Sequence, residues 1–170
     1  MPEPDVTPDE TPEIRLIGLD GPELVEPTRA ILREYAESLS IDLRFQNFEY
    51  ELASLPGDYT PPQGRMLLAF VGDALAGCGA LRPVLEADYA NACEMKRLYV
   101  RPAFRRFGLG RALAQALLDE ARGAGYSVML LDTLDDMEAA RELYAALGFE
   151  EIPPYYFNPI AGAHYLKATL

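Results

Sequence analysis

Residues 105–110 read Arg-Arg-Phe-Gly-Leu-Gly, with Arg111 directly after. Two glycines two apart let a backbone come close to a ligand and turn several N–H groups the same way. The run that follows has helical periodicity, so a helix starts here, adding its unpaired N–H groups and the positive end of its dipole. Residues 96–111 hold six of the fifteen Lys and Arg residues and no acidic one, in a chain of net charge -12. The chemistry this favours is anion binding, with phosphate the natural ligand. A tight strand-to-helix turn with solvated arginines would use the same residues. Two phosphate motifs are excluded by what is missing. The P-loop needs Gly-Lys followed by Ser or Thr, and the dinucleotide fingerprint needs a third glycine where Leu113 stands.

The remaining chemistry-bearing residues are sparse. Cys78 and Cys93 sit in apolar runs without a Cys-x-x-Cys or a Cys/His cluster, so they read as buried free thiols, with no metal site. His164 is the only histidine and reads as structural before it reads as a base. An excess of 27 acidic over 15 basic residues argues against nucleic acid and anionic membranes as partners. It mildly favours a cationic or small neutral partner. No apolar run reaches the length of a membrane span, and the start of the chain lacks the features of a signal peptide. The expected location is cytoplasmic. A homodimer is left open.

The elements that must position these residues follow from periodicity. Residues 1–13, rich in Pro and acid, read as a flexible tail, and 14–170 as one domain. A first strand covers "EIRLIG". A helix over 22–39 repeats apolar positions Leu24, Thr28, Ile31, Leu32, Tyr35 and Leu39. "QNFEYELASLPG" holds a short helix stopped at Pro56-Gly57. Two strand-like runs flank Gly72-Asp73 as a hairpin, and "CEMKRLYV" is a further strand. Strict alternation along it puts Glu94, Lys96, Leu98 and Val100 on one face. The helix after the glycine loop runs over 109–123, "SVMLLDT" is a central strand, and a last helix covers 135–147 with Gly148 as its cap. "HYLKATL" closes the chain as a strand. Antiparallel strands followed by a strand–helix–strand–helix–strand passage give an α/β fold: a mixed sheet with helices on both faces.

A third anion motif fits without a mismatch: [Gln/Arg]-x-x-Gly-x-[Gly/Ala], read here as Arg105-Arg106-Phe107-Gly108-Leu109-Gly110. With it the chain resembles the GCN5-related N-acetyltransferase (GNAT) family. "MKRLYVRPAFRRFGLGRAL" resembles the family's strand, pyrophosphate loop and helix, "VMLLDT" the next strand, and "AARELYAALGFEEI" the motif A-x-x-L-Y-x-x-x-G-F. The strong likeness covers about residues 93–152. It implies a mixed, mostly antiparallel sheet of about seven strands, two of them splayed into a cleft that takes acetyl-CoA. The backbone of Leu98, Tyr99 and Val100 would pair with the pantetheine arm. Arg105 opens the pyrophosphate motif, and the amides of Arg106, Phe107, Gly108, Leu109, Gly110 and Arg111 would cradle the diphosphate.

The resemblance also assigns the catalytic candidates. Acetyl transfer to an amine needs a neutral amine, a stabilised carbonyl oxygen and an acid for the leaving thiolate. Glu94 stands on the strand before the loop, where some family members carry a base, and would act through water. Tyr144 matches the motif tyrosine that protonates the coenzyme sulfur. An ion pair with Lys96 or Arg97, for Glu94, and plain core packing, for Tyr144, are the competing readings. Many relatives carry Asn where this chain has Met137, which removes that coenzyme contact. The aromatic stretch "YYFNPIAGAHY", with Phe45, Phe48 and Tyr59, is expected to help line the acceptor side. The expected activity is acetyl-CoA-dependent N-acetylation of a small primary amine such as an amino acid or polyamine. A protein N-terminus or lysine is the alternative acceptor, and a non-catalytic acyl-CoA-binding module the alternative class.

Overall fold

The computed structural model describes residues 12–39, 42–134 and 137–170, without the side chains of Arg44 and Phe45. The expected tail over 1–13, apart from its last two residues, lies outside the described residues. So do Asp135, the expected start of the last helix, and the Phe45 side chain.

Seven strands form one sheet in the order β1-β2-β3-β4-β5-β7-β6. They are β1 (Ile14–Gly18), β2 (Arg65–Val71), β3 (Ala74–Val84), β4 (Ala92–Val100), β5 (Val128–Leu134), β6 (Glu150–Ile152) and β7 (Ala163–Thr169). Only β4 and β5 run parallel. The β2–β3 hairpin turns at Gly72-Asp73, as its sequence requires. β6 has no counterpart in the sequence reading, because three residues show no usable alternation.

Helices cover both faces. On one lie α1 (Val25–Ser38) and α2 (Phe48–Ala53), burying Ile31, Leu32, Phe48 and Leu52 against Met66 and Leu68. On the other lie α3 (Leu109–Gly123) and α4 (Glu138–Ala146), where Leu113, Leu117 and Leu118 meet Leu67, Met129 and Leu131. Because both faces are covered, β2 and β5 read as continuous apolar runs instead of alternating ones. Gly77 and Gly79 let α3 settle directly on β3. A Cβ at Gly77 would stand 2.9 Å from the Tyr99 carbonyl oxygen, and one at Gly79 3.0 Å from Leu117 Cδ1. α4 stops as expected at Gly148, whose N–H and that of Phe149 bond back to Ala145 and Tyr144. Cys78 and Cys93 are buried free thiols, and burial pushes each up to about 12. Among the described residues no helix is long and apolar enough to cross a membrane.

Two irregularities in β4 shape everything that follows. The first is a bulge. Cys78 of β3 pairs with Tyr99 but Ala80 pairs with Lys96, so β4 carries one residue more than its partner, and Arg97 takes φ 60°. Strict alternation therefore fails. Lys96 and Arg97 both turn to the α1–α2 side, bonded to Gln46, and Tyr99 joins that core. Leu98 and Val100 pack on the opposite, α3 side. The expectation that Glu94, Lys96, Leu98 and Val100 share one face is corrected accordingly. The second irregularity is a splay. β4 and β5 pair from Ala92↔Val128 to Glu94↔Leu130 and then part, while β5 stays paired with β7 as far as Leu134↔Ala163. The β4 edge beyond Glu94 is left without a strand on the β5 side.

Candidate functional site

The anion cradle begins with a 3-10 turn, Pro102–Phe107, and ends where Gly108 takes φ 69°. This left-handed backbone suits glycine, and a Cβ there would meet nothing within 4 Å, so the space over the loop is open. α3 starts at once, with no side-chain cap and no acidic residue in its first turn. The first amides of α3 have no acceptor inside the helix. Arg105, Arg106 and Arg111 stand exposed around them. Arg105 Nε donates to the Val100 carbonyl at 3.1 Å, and the Arg106 guanidinium lies over the Phe107 ring. The geometry fits a diphosphate held by backbone donors and screened by arginines.

The splay of β4 and β5 opens a cavity of about 100 Å³. Met95 to Leu98 wall one side and Asp132 to Leu134 the other, with Tyr144 and Met137 at the α4 end. Leu98 thus reaches the cleft, whereas Tyr99 points away and its hydroxyl donates to Glu34 at 3.1 Å. Tyr144 comes from the first-expected apolar face of α4, stacked edge-on with Phe149 at 5.6 Å. It is core and cavity wall at once. Burial, then Tyr35 and Asp132, push its phenol upward, so it stays protonated and able to donate.

Glu94 lies one cavity further on. A space of about 470 Å³ is walled by Glu94, Arg82, Lys96, Tyr155, Tyr156 and Phe157, among others. Lys96 and Gln46 line both cavities and stand between them. Glu94 is 1 % exposed. It accepts from Arg82 Nε at 2.9 Å and from the Tyr155 hydroxyl, with Lys96 Nζ at 3.7 Å. Burial would raise its pKa, but Lys96, Arg82 and Tyr155 together outweigh this and hold it below the usual carboxylate range. Lys96 is pushed down by burial, a shift that Glu94 opposes. Beside them Arg97 makes two bonds to Glu51, at 2.9 and 3.0 Å, under the Phe48 ring. Asp132 accepts from the Tyr156 hydroxyl at 2.5 Å and from Asn158 Nδ2 at 3.4 Å.

The structure thus brings Leu98 and Tyr144 to one cavity, Glu94 to the next, and Arg105 to Arg111 to the helix start above. Of the aromatic stretch, Tyr155, Tyr156 and Phe157 line the second cavity. Phe48 packs beneath it, and Tyr59 is buried in a pocket that shares Glu51 and Arg82. His164 lies apart, with Nδ1 2.8 Å from Glu151 across β6 and β7. Sequence reasoning missed Arg82 and Asp132 as site residues and saw Lys96 and Arg97 only as partners for Glu94, whereas Arg97 pairs with Glu51. Asp132 had a signal, a single acid inside an apolar strand. Arg82 and Arg97 had none, since their partners lie far along the chain.

Comparison with known proteins agrees with this geometry. The family model described as acetyltransferase (GNAT) family matches residues 28–149. An uncharacterized N-acetyltransferase of Schizosaccharomyces pombe is 40% identical over 151 residues, spanning 88% of this chain and 90% of that protein. An uncharacterized N-acetyltransferase of Dictyostelium discoideum is 30% identical, spanning 81% and 90%. Among solved structures, an acetyltransferase from Streptococcus agalactiae has the same fold, with a TM-score of 0.74 at 18% identity over 92% of this chain and 98% of that one. A structure of yncA from Salmonella typhimurium with its cofactor acetyl-CoA aligns with a TM-score of 0.64 at 21% identity, over 92% and 93%.

Proposed function

The chain belongs to the GNAT family of N-acetyltransferases, and from that premise we propose that it moves the acetyl group of acetyl-CoA to the primary amine of a small molecule, by direct transfer in a ternary complex. One observation carries the acceptor side of this reading. Beyond Lys96 and Gln46, which line the splayed cleft, lies a second cavity of about 470 Å³ with charged and aromatic walls. That volume suits a small ligand.

The chain's own groups have distinct tasks. The amides from Arg106 to Arg111 bind the diphosphate, and the arginines there neutralise it. The free edge of β4 at Leu98, Tyr99 and Val100 pairs with the pantetheine arm. The acceptor enters as an ammonium and must lose a proton before its nitrogen can attack. Glu94 takes that proton through water. Its two donors and the nearby Lys96 cation make it a weak base, so it relays the proton through water to solvent before the nitrogen attacks. The C–N bond forms as the C–S bond breaks. Tyr144 gives its phenolic proton to the leaving thiolate and regains one from the acetylated nitrogen, so the amine loses two protons in all. Thiol release from acetyl-CoA across a panel of small amines and peptides tests the reading. Release with small amines supports it. Release with peptides alone moves the acceptor to protein, and no release with any amine favours a non-catalytic module.

A further inference from the structure

Lys96 stands where the two cavities meet, with its side chain 6% exposed. An ammonium has three N–H donors. Among the described residues only one of these meets an acceptor, Gln46 Oε1 at 3.0 Å. Among the described residues the one carboxylate within 4 Å is Glu94, and 3.7 Å is too long for a hydrogen bond. Glu94 gives one oxygen to Arg82 and the other to Tyr155. Glu51 gives both of its oxygens to Arg97. Two donors of a buried cation therefore lack an acceptor, a costly arrangement that an incoming anionic group relieves.

Asp132 is the converse case. Tyr156 and Asn158 both approach its Oδ2, and among the described residues no donor reaches Oδ1 and no cation forms an ion pair with it. Lys96 and Asp132 line the same cavity, beside Tyr144. A cation short of acceptors and an anion short of a cation thus face the space where the amine must meet the thioester.

We infer that the acceptor is of the amino-acid class, a small molecule carrying a carboxylate beside its primary amine, with the carboxylate bound by Lys96 and the amine held by Asp132. This rests on the small-molecule reading above. A polyamine would bring a second cation to Lys96, and a simple alkylamine would leave its donors unmet.

The test compares matched acceptors with the intact enzyme and acetyl-CoA: amino acids, their amides and their decarboxylated amines, all read by thiol release. For the preferred side chain, kcat/KM for the free acid should exceed that for the amide and the amine by about tenfold or more, because a site built to hydrogen-bond a group rejects analogues without it. Lys96→Gln should bring that ratio toward one. Equal or better use of the amide or amine by the wild-type enzyme overturns the inference and leaves the small-molecule reading intact. So does a ratio that survives in Lys96→Gln. Release with peptides alone overturns both. If Lys96→Gln fails to fold, the wild-type comparison decides.

Discussion

The cradle at the start of α3 is made of backbone, and the cavity beyond the splay is made of side chains. The cradle draws on consecutive residues, 105–111, around one left-handed glycine and one helix start. The cavity draws on Glu51, Arg82, Glu94, Lys96 and Tyr155, from two strands, a helix and a loop. A backbone site tolerates many side chains but few changes of conformation or charge. A buried ionic network is the reverse, since each member satisfies another and removing one strands its partner. Changes in the first should act on coenzyme binding alone, and changes in the second on turnover and stability together.

Gly108→Asp should show the first behaviour most strongly. A carboxylate beside the diphosphate should weaken coenzyme binding about a hundredfold or more by calorimetry. Gly108→Asn is the control, because Asn accepts the same left-handed backbone without the charge. A similar loss in both variants would assign the effect to conformation.

Glu94→Gln should show the second. Turnover should fall by about a hundredfold at neutral pH, less at high pH where more amine is already neutral. A loss that stays constant with pH would remove the proton-accepting role. Stability should fall too, on the order of 3 kcal/mol, as Arg82 and Lys96 lose their buried counter-charge. The pH sign follows from the lowered pKa of Glu94. Its charged network stabilises the fold above the unfolded value near 4.5 and ceases to as pH falls through the folded value. Denaturation of wild type and Glu94→Gln should therefore converge in acid.

Tyr144→Phe keeps the ring against Phe149 and removes only the hydroxyl. Turnover should drop by about tenfold with coenzyme affinity nearly intact. Unchanged turnover would return this tyrosine to the core alone. The smallest effect belongs outside both regions. His164→Ala breaks a part-exposed pair with Glu151, so stability should change by less than about 1 kcal/mol and turnover by less than about twofold.

The same contrast explains what could be read from the chain. Gly108, Gly110 and the arginines are neighbours in sequence, so their shared chemistry was visible as a motif. The helix over 109–123 and every strand except β6 followed from periodicity, and these were met. Tyr144 was legible only through its surrounding pattern, since its spacing marks it as core. The network was not legible. Arg97 meets Glu51 across 46 residues and Tyr155 meets Glu94 across 61, and no local rule pairs positions so distant. The bulge was hidden for another reason. A left-handed Arg carries no signature, because its strain is offset by contacts that exist only in the folded molecule.

That extra residue at Arg97 works like a shift of reading frame in β4. Upstream of it odd-numbered positions such as Cys93 and Met95 face α3, and downstream the even-numbered Leu98 and Val100 do. Straightening the strand with Arg97 still in it would restore a regular ladder and invert the downstream half. Leu98 would then point at the α1–α2 layer, and Tyr99 would lose Glu34 and enter the layer under α3. The strand therefore needs its bulge as long as it holds Arg97, and would keep the same faces if residue and bulge were lost together. Its parity, more than its composition, decides which wall of the cleft each residue builds.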